Sequence, residues 1–332
     1  MVAAMKDARP ALVAALFLLC AFAPARSDVL LVLSKGDHTL AMVDPSTRKV
    51  LARMPSGPDP HEVIASSDGR TAYISNYGGG AYNTITEADL VARKTAGTID
   101  LGALRGPHGL AFAGGKLWFT AEGAKAIGSY DPASRKIDWI MGTGQNRTHM
   151  IFVRDDLRRV ITSNISSATM SIIDETGPRR DWDETVVAVG KGAEGFDVSP
   201  DGRQLWAANA GDGSVSVLDL ASKQVTATIP AGVNSANRLK FTPDGKLVLV
   251  SLLNGPEIAV IDASTHSVVK RIHSGRGAAG IQMEPGGARA YVSCTPDNYV
   301  AVVDLKSLEI VDRIDAGKQP DGLAWIKQIG AS

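Results

Sequence analysis

The chain is 332 residues long, and its 35 lysines and arginines are balanced by 35 aspartates and glutamates. Zero net charge with no basic run argues against nucleic acid or an anionic membrane surface as the main partner. Of two cysteines, Cys20 lies in an apolar N-terminal stretch, so Cys294 has no disulfide partner and burial with backbone pairing must hold the fold.

Residues 1–27 read as a signal peptide. Lys6 and Arg9 give a basic start, residues 11–23 form an apolar run, and Ala25-Arg26-Ser27 offers small residues for cleavage. The run is too short to serve as a mature anchor. A lipoprotein alternative through Cys20 is disfavoured by Leu19 immediately before it. No other apolar run approaches spanning length. The expectation is a soluble periplasmic or secreted protein with no membrane span, comprising residues 28–332 as a single domain.

Residues 28–54 read as three strands with no first partner. From residue 61 onward one pattern recurs: a strand start, a tight turn rich in Asp and Gly, and a Tyr-Val-Ser-Asn-like strand. The segments are HEVIASSDGRTAYISN (61–76), HGLAFAGGKLWFTA (108–121), HMIFVRDDLRRVITSN (149–164), EGFDVSPDGRQLWAAN (194–209), NRLKFTPDGKLVLVSL (237–252), AGIQMEPGGARAYVSC (279–294) and DGLAWIKQ (321–328). Their first residues are spaced by 47, 41, 45, 43, 42 and 42. The fourth repeat shows four short strands of alternating polarity separated by turns such as Pro200-Asp201-Gly202 and Gly211-Asp212-Gly213. Four strands at this period predict an all-β, seven-bladed β-propeller. The C-terminal stretch 320–326 supplies the strand that 28–54 lacks, so the N- and C-terminal strands should close the last blade and remove an exposed edge.

The chain resembles the YVTN-repeat β-propeller family over essentially residues 28–332. The resemblance rests on AYISN (72–76), SVSVLDLASKQVTATIPAG (214–232), EIAVIDASTHSVVKRI (257–272) and NYVAVVDLKSLEIVDRIDAGKQPDGLAW (298–325). Blade 2 (106–132) also resembles blades of the streptogramin B lyase group. These motifs are specific for fold and nearly silent on function, since such propellers include lactonases, lyases, metal-dependent oxidoreductases and non-enzymes.

First strands line a propeller axis, so equivalent positions on them converge at one mouth. That position holds His61, His108, His149, Glu194, Asn237, Ala279 and Asp321. Three imidazoles and a carboxylate suit one divalent transition metal ion, with His61, His108, His149 and Glu194 as ligands. In an enzyme, Glu194, Asp321, Asn237 and Arg238 are candidate catalytic residues, with Asp321 as second ligand or base, Asn237 as hydrogen-bonding group and Arg238 for an anionic group. Duplication of one ancestral histidine is the competing, purely structural explanation. Strand alternation should send Glu62 to the other face.

Other positions carry less. Asn76, Asn164 and Asn209 fit strand-end caps. Lys35 and Cys294 are assigned the same slot, with Cys294 a spectator thiol. The glycine-rich stretch 76–90 departs from the repeat, and Tyr77, Tyr82 and Asn83 could meet a ligand there. His38, His266 and His273 fall on outer strands or loops.

Two functions remain open. One is a metal-assisted hydrolase or lyase of lactone or ester type, although the histidine-rich ring departs from the acidic pattern of calcium gluconolactonases. The other is a non-enzymatic propeller binding a small molecule or protein at the channel mouth.

Overall fold

The computed structural model describes residues 28–177, 181–232 and 235–327. The expected signal peptide falls outside the described residues. Among those described, no helix is long and apolar enough to cross a membrane.

Among the described residues twenty-eight strands form seven four-stranded antiparallel sheets, one per repeat. The innermost strands are Pro60–Ala65, Pro107–Ala113, Thr148–Val153, Ala193–Val198, Ala236–Phe241, Ala278–Met283 and Pro320–Ile326 for blades 1 to 7. Each packs against the innermost strands of both neighbours, so the seven close a ring. In blade 7, Pro320–Ile326 pairs with the N-terminal strand Val29–Ser34, in the register Leu30 with Trp325 and Val32 with Leu323. The chain ends therefore close the circle as the sequence predicts.

The burial pattern explains the strand compositions. Second and third strands are covered on both faces by neighbouring blades, so they read as nearly continuous apolar runs such as Leu247–Leu252 and Tyr299–Asp304. Outer strands alternate exposed and covered residues, as Lys136–Gly142 does. The buried apolar residues fall into seven clusters, one at each blade seam. Stability is thus divided among nearest-neighbour interfaces.

One irregularity sets the geometry of the axis. In all seven blades the innermost strand slips by one residue against the second strand, just where the ring residue sits. Pro60 pairs with Asn76 but Val63 with Ile74, so two residues, His61 and Glu62, oppose one. The same slip recurs in the other six blades. It is a β-bulge, which leaves one amide outside the ladder. The hydroxyl of the YVTN-like strand captures that amide: Glu62 N–H donates to Ser75 Oγ at 3.0 Å, Gly109 N–H to Thr120 Oγ1 at 2.9 Å and Arg238 N–H to Ser251 Oγ at 3.0 Å. The same hydroxyls reach the next blade, with Thr120 donating to the His149 carbonyl at 2.7 Å and Ser293 to the Asp321 carbonyl at 2.7 Å. Neighbouring strands pass so closely here that a Cβ on Gly195 would stand 2.3 Å from the Asn237 carbonyl.

Candidate functional site

The bulges deliver seven consecutive ring residues to one mouth. His61, His108, His149, Glu194, Asn237, Ala279 and Asp321 all line a cavity of about 320 Å³ there, together with Arg238. Each is the second residue of its innermost strand, so the repeat ruler holds around the whole circle.

Glu62 does not turn away as alternation predicts. Because the bulge places two successive residues against one, Glu62 reaches Arg238, 2.5 Å from its guanidinium and 176 residues distant in sequence. Arg238 also lies 3.6 Å from Glu194 Oε1. Burial disfavours its charge, but Glu62, Glu194 and Asp321 more than offset that and raise its pKa. Asn237 is a strut, its amide donating to the Ala279 carbonyl at 3.3 Å.

The three histidines differ sharply in electrostatic setting. His149 is buried between two carboxylates: Nδ1 bonds Glu122, and Nε2 lies 3.6 Å from Glu194 Oε1. Burial opposes its charge, yet Glu122 and Glu194 overcome it and lift the pKa above the ordinary imidazole value. Both carboxylates are held below their usual range despite burial, chiefly by His149. His108 stacks on His149 with ring centroids 3.7 Å apart and planes tilted by 34°. Burial, then the neighbouring His149 and His61, push its pKa well down, so it is neutral at pH 7. His61 accepts from Lys35 Nζ through Nε2 at 2.8 Å, and its Nδ1 lies 3.2 Å from Asp321 Oδ2 without hydrogen-bond alignment. Burial and Lys35 push His61 down to about 4. Asp321, 3.5 Å from Lys35, is raised by its burial, against the pull of Lys35 and Arg238.

A second tier stands above the ring. Lys35, Tyr77 and Glu122 each follow the end residue of a second strand, in blades 7, 1 and 2. Lys35 is therefore not in the slot of Cys294. The register aligns Ser34 with Pro320 as it aligns Cys294 with Ala278, and Lys35 comes one residue later. Tyr77 donates to Glu122 Oε2 at 2.6 Å and stands nearly perpendicular to His61 and His108, 4.9 and 5.0 Å between centroids. Burial and then Glu122 push its phenol up to about 12. Arg147 reaches Glu122 Oε2 at 3.5 Å.

The remaining candidates are structural. Asn76, Asn164 and Asn209 each donate to two hydroxyls of the third strand in their own blade. Asn83 bonds Asp100 and the Gly102 carbonyl, and Tyr82 does not line the cavity, so Tyr77 alone of the three loop residues reaches the site. Cys294 is fully buried and burial lifts its thiol to about 11. Glu122 was missed by sequence reasoning although the ruler, read one residue past the YVTN-like strand, points to it.

As for a metal, His61, His108, His149 and Glu194 share one wall, but among the described residues no three His, Cys, Asp or Glu side chains are arranged to hold one ion. Lys35 occupies the lone pair of His61, and Glu122 occupies Nδ1 of His149. One buried nitrogen on each imidazole nevertheless lacks a hydrogen-bond partner: His61 Nδ1, His108 Nδ1 and His149 Nε2.

Among proteins of curated function none matches the chain. Of solved structures, a functionally unknown protein from Desulfotomaculum acetoxidans matches with a TM-score of 0.74 at 14% identity, over 91% of this chain and 100% of that one. Hydrazine synthase of Kuenenia stuttgartiensis matches at 0.66 and 20% identity, over 82% and 96% of the two chains. A proposed 6-phosphogluconolactonase of Bacteroides fragilis matches at 0.73 and 14%, over 90% and 98%. At such identities the likeness shows the fold alone. A family model for the YNCE-like beta-propeller matches residues 117–289, from the second strand of blade 2 into blade 6. With the seven-bladed ring and more than half the chain inside that match, the protein belongs to the YNCE-like β-propeller family.

Proposed function

We propose that the mouth is the active site of an exported acid–base enzyme that cleaves a small ester or lactone by hydrolysis or elimination. The observation that carries this reading is the stacked pair His108 and His149, buried side by side with protonation preferences pushed apart. Adjacent groups driven in opposite directions are what an acid and a base require in one site. His149, its charged form favoured by Glu122 and Glu194, makes no hydrogen bond from Nε2, which is available to protonate a developing oxyanion or leaving oxygen. His108, neutral with an unpaired Nδ1, accepts the proton of an attacking water or of a carbon acid. Arg238, held by Glu62 and Glu194, adds fixed positive charge at the cavity wall.

The unpaired nitrogens favour a second reading, in which a divalent cation occupies the histidine wall. It requires His61 to release Lys35 or His149 to lose its proton, so the donors as arranged do not form a ready site.

The test is a panel of lactones and esters assayed with untagged protein, beside His149→Ala and His108→Ala, with elemental analysis of the same samples. The acid–base reading expects turnover by metal-free protein, reduced 10²–10⁴-fold in each variant, the usual range for one acid or base (about two to four orders of magnitude). Near-stoichiometric metal lost in both variants would favour the second reading. No turnover and no metal would leave a binding propeller and overturn both.

A further inference from the structure

Away from the mouth, three of the five tryptophans meet at the seam of blades 2 and 3. Trp118 lies on the second strand of blade 2, Trp139 on its outer strand and Trp182 on the outer strand of blade 3. Ring centroids are 5.4 Å apart from Trp118 to Trp139 and 5.2 Å from Trp139 to Trp182, tilted by 58° and 55°. With Lys116, Asp138, Leu157 and Glu175 they line a second cavity of about 320 Å³, at the end of the blades remote from the histidines.

The repeat accounts for only one of these tryptophans. Trp118 stands at the aromatic position of the YVTN pattern, where blades 1, 4 and 6 have Tyr73, Trp206 and Tyr291. Trp139 pairs across Ser129 beside it, and the equivalent residues elsewhere are Ala52, Gly97, Thr185, Ala227, Lys270 and Asp312. Trp182 is carried by an outer hairpin whose two strands have eight residues each, longer than their counterparts. Leu157 is held at φ 60° in a turn where blades 1, 2, 4, 5 and 6 place glycine. A left-handed leucine is unfavourable, by roughly 1–2 kcal/mol. Three separate departures from the repeat therefore converge on one groove, where Trp139, Leu157 and Trp182 rest on the seam core yet stay only partly buried.

We propose that this groove binds a sugar ring, with a tryptophan face against its C–H face and its hydroxyls on the charged rim. The rim chemistry favours a neutral polyol over an organic cation. Asp138 is already paired with Lys116 and accepts from Ser129 at 2.6 Å, and Glu175 lies 3.6 Å from Arg158. A cationic ligand would find aromatic faces but no uncompensated carboxylate. Paired groups still keep spare lone pairs and N–H donors, which hydroxyls need from both sides. The cavity is at the small end of ligand pockets, consistent with one or two pyranose units.

The test is tryptophan emission of the whole protein titrated with glucose, galactose, mannose, N-acetylglucosamine, cellobiose, lactose and chitobiose, and with choline as the cationic probe. At least one saccharide should give a saturable change below about 10 mM, an affinity typical of weak binding. Trp182→Ala should weaken it at least about tenfold, or about 1.4 kcal/mol. Lys116→Met, a change at a partly exposed rim side chain that leaves the tryptophans in place, should weaken it too, whereas His149→Ala at the other mouth should not. A response to choline alone, no saturable response at all, or saccharide binding that survives both groove variants would overturn the proposal.

Discussion

The depressed pKa of His61 makes folding stability depend on pH in a way that one substitution should reveal. Unfolded, His61 titrates at its ordinary 6.5; folded, burial and Lys35 hold it at about 4. The folded state therefore refuses a proton that the unfolded chain takes up throughout that interval. Stability from this residue is intact above the unfolded value and is lost as pH falls from there to the folded value, after which it levels off. Each pKa unit corresponds to about 1.4 kcal/mol, so the loss amounts to about 3 kcal/mol. The reference is His61→Asn, which cannot titrate but keeps an acceptor for Lys35 at the same strand position. Urea unfolding followed by tryptophan emission, from pH 7.5 down to about pH 3.5, would give both stability curves. Carboxylates and the remaining histidines are common to both proteins, so their contributions cancel to first order in the difference. The natural protein should lose about 3 kcal/mol relative to the variant over this range. Parallel curves, agreeing within about 1 kcal/mol at every pH, would refute the assignment of a neutral, desolvated imidazole at the ring.

Arg238→Met should lower stability by about 3–5 kcal/mol at pH 7, because Glu62 is left as a largely buried charge without its partner and Glu194 keeps only His149; adding Glu62→Gln should recover part of the loss in a denaturation double-mutant cycle. Ser163→Ala removes the hydroxyl that receives the bulge amide of Met150 and donates to the Glu194 carbonyl, so it should cost about 1–3 kcal/mol in thermal or urea denaturation, whereas Ser163→Thr should stay near the natural value, as Thr120 performs this role in blade 2. Cys294, fully buried with its thiol lifted to about 11, should react with a disulfide reagent at pH 8 only at the rate of unfolding; rapid labelling of the native protein would show that blade 6 opens locally.

How far the site could be read from the sequence depended on what the repeat preserves. The ring residues were legible because the repeat keeps backbone position, so a ruler laid on the recurring turn finds His61, His108, His149 and Glu194 at once. Glu62 and Arg238 were misread or only half read for a local reason. Alternation assumes an unbroken ladder, and the bulge that breaks it leaves no signature beyond a serine or threonine one strand later. Glu122 was hidden by the same emphasis on the strand, since it begins the turn that follows. The groove of Trp139 and Trp182 was illegible for the opposite reason: its residues are departures from the repeat and become visible only once the register is known.

The two kinds of position divide the work of the molecule. Parts that recur, such as the bulge, the hydroxyl that staples it in most blades and the seven seam clusters, hold the ring together. Side chains that vary, at ring positions and just after the second strands, sit on a backbone those recurring parts already fix. The chemistry is accordingly uneven around a nearly symmetric scaffold. Lys35, His61, Tyr77, His108, Glu122, Arg147 and His149 come from blades 7, 1, 2 and 3, while the ring positions of blades 5 and 6 offer only Asn237 and Ala279. Arg238 is the exception, and its reach across the axis to Glu62 joins the plain arc to the reactive one. A bound molecule would then meet titratable groups on one side and a comparatively inert wall on the other. Such asymmetry would orient a bound molecule, and seven copies of one residue could not provide it.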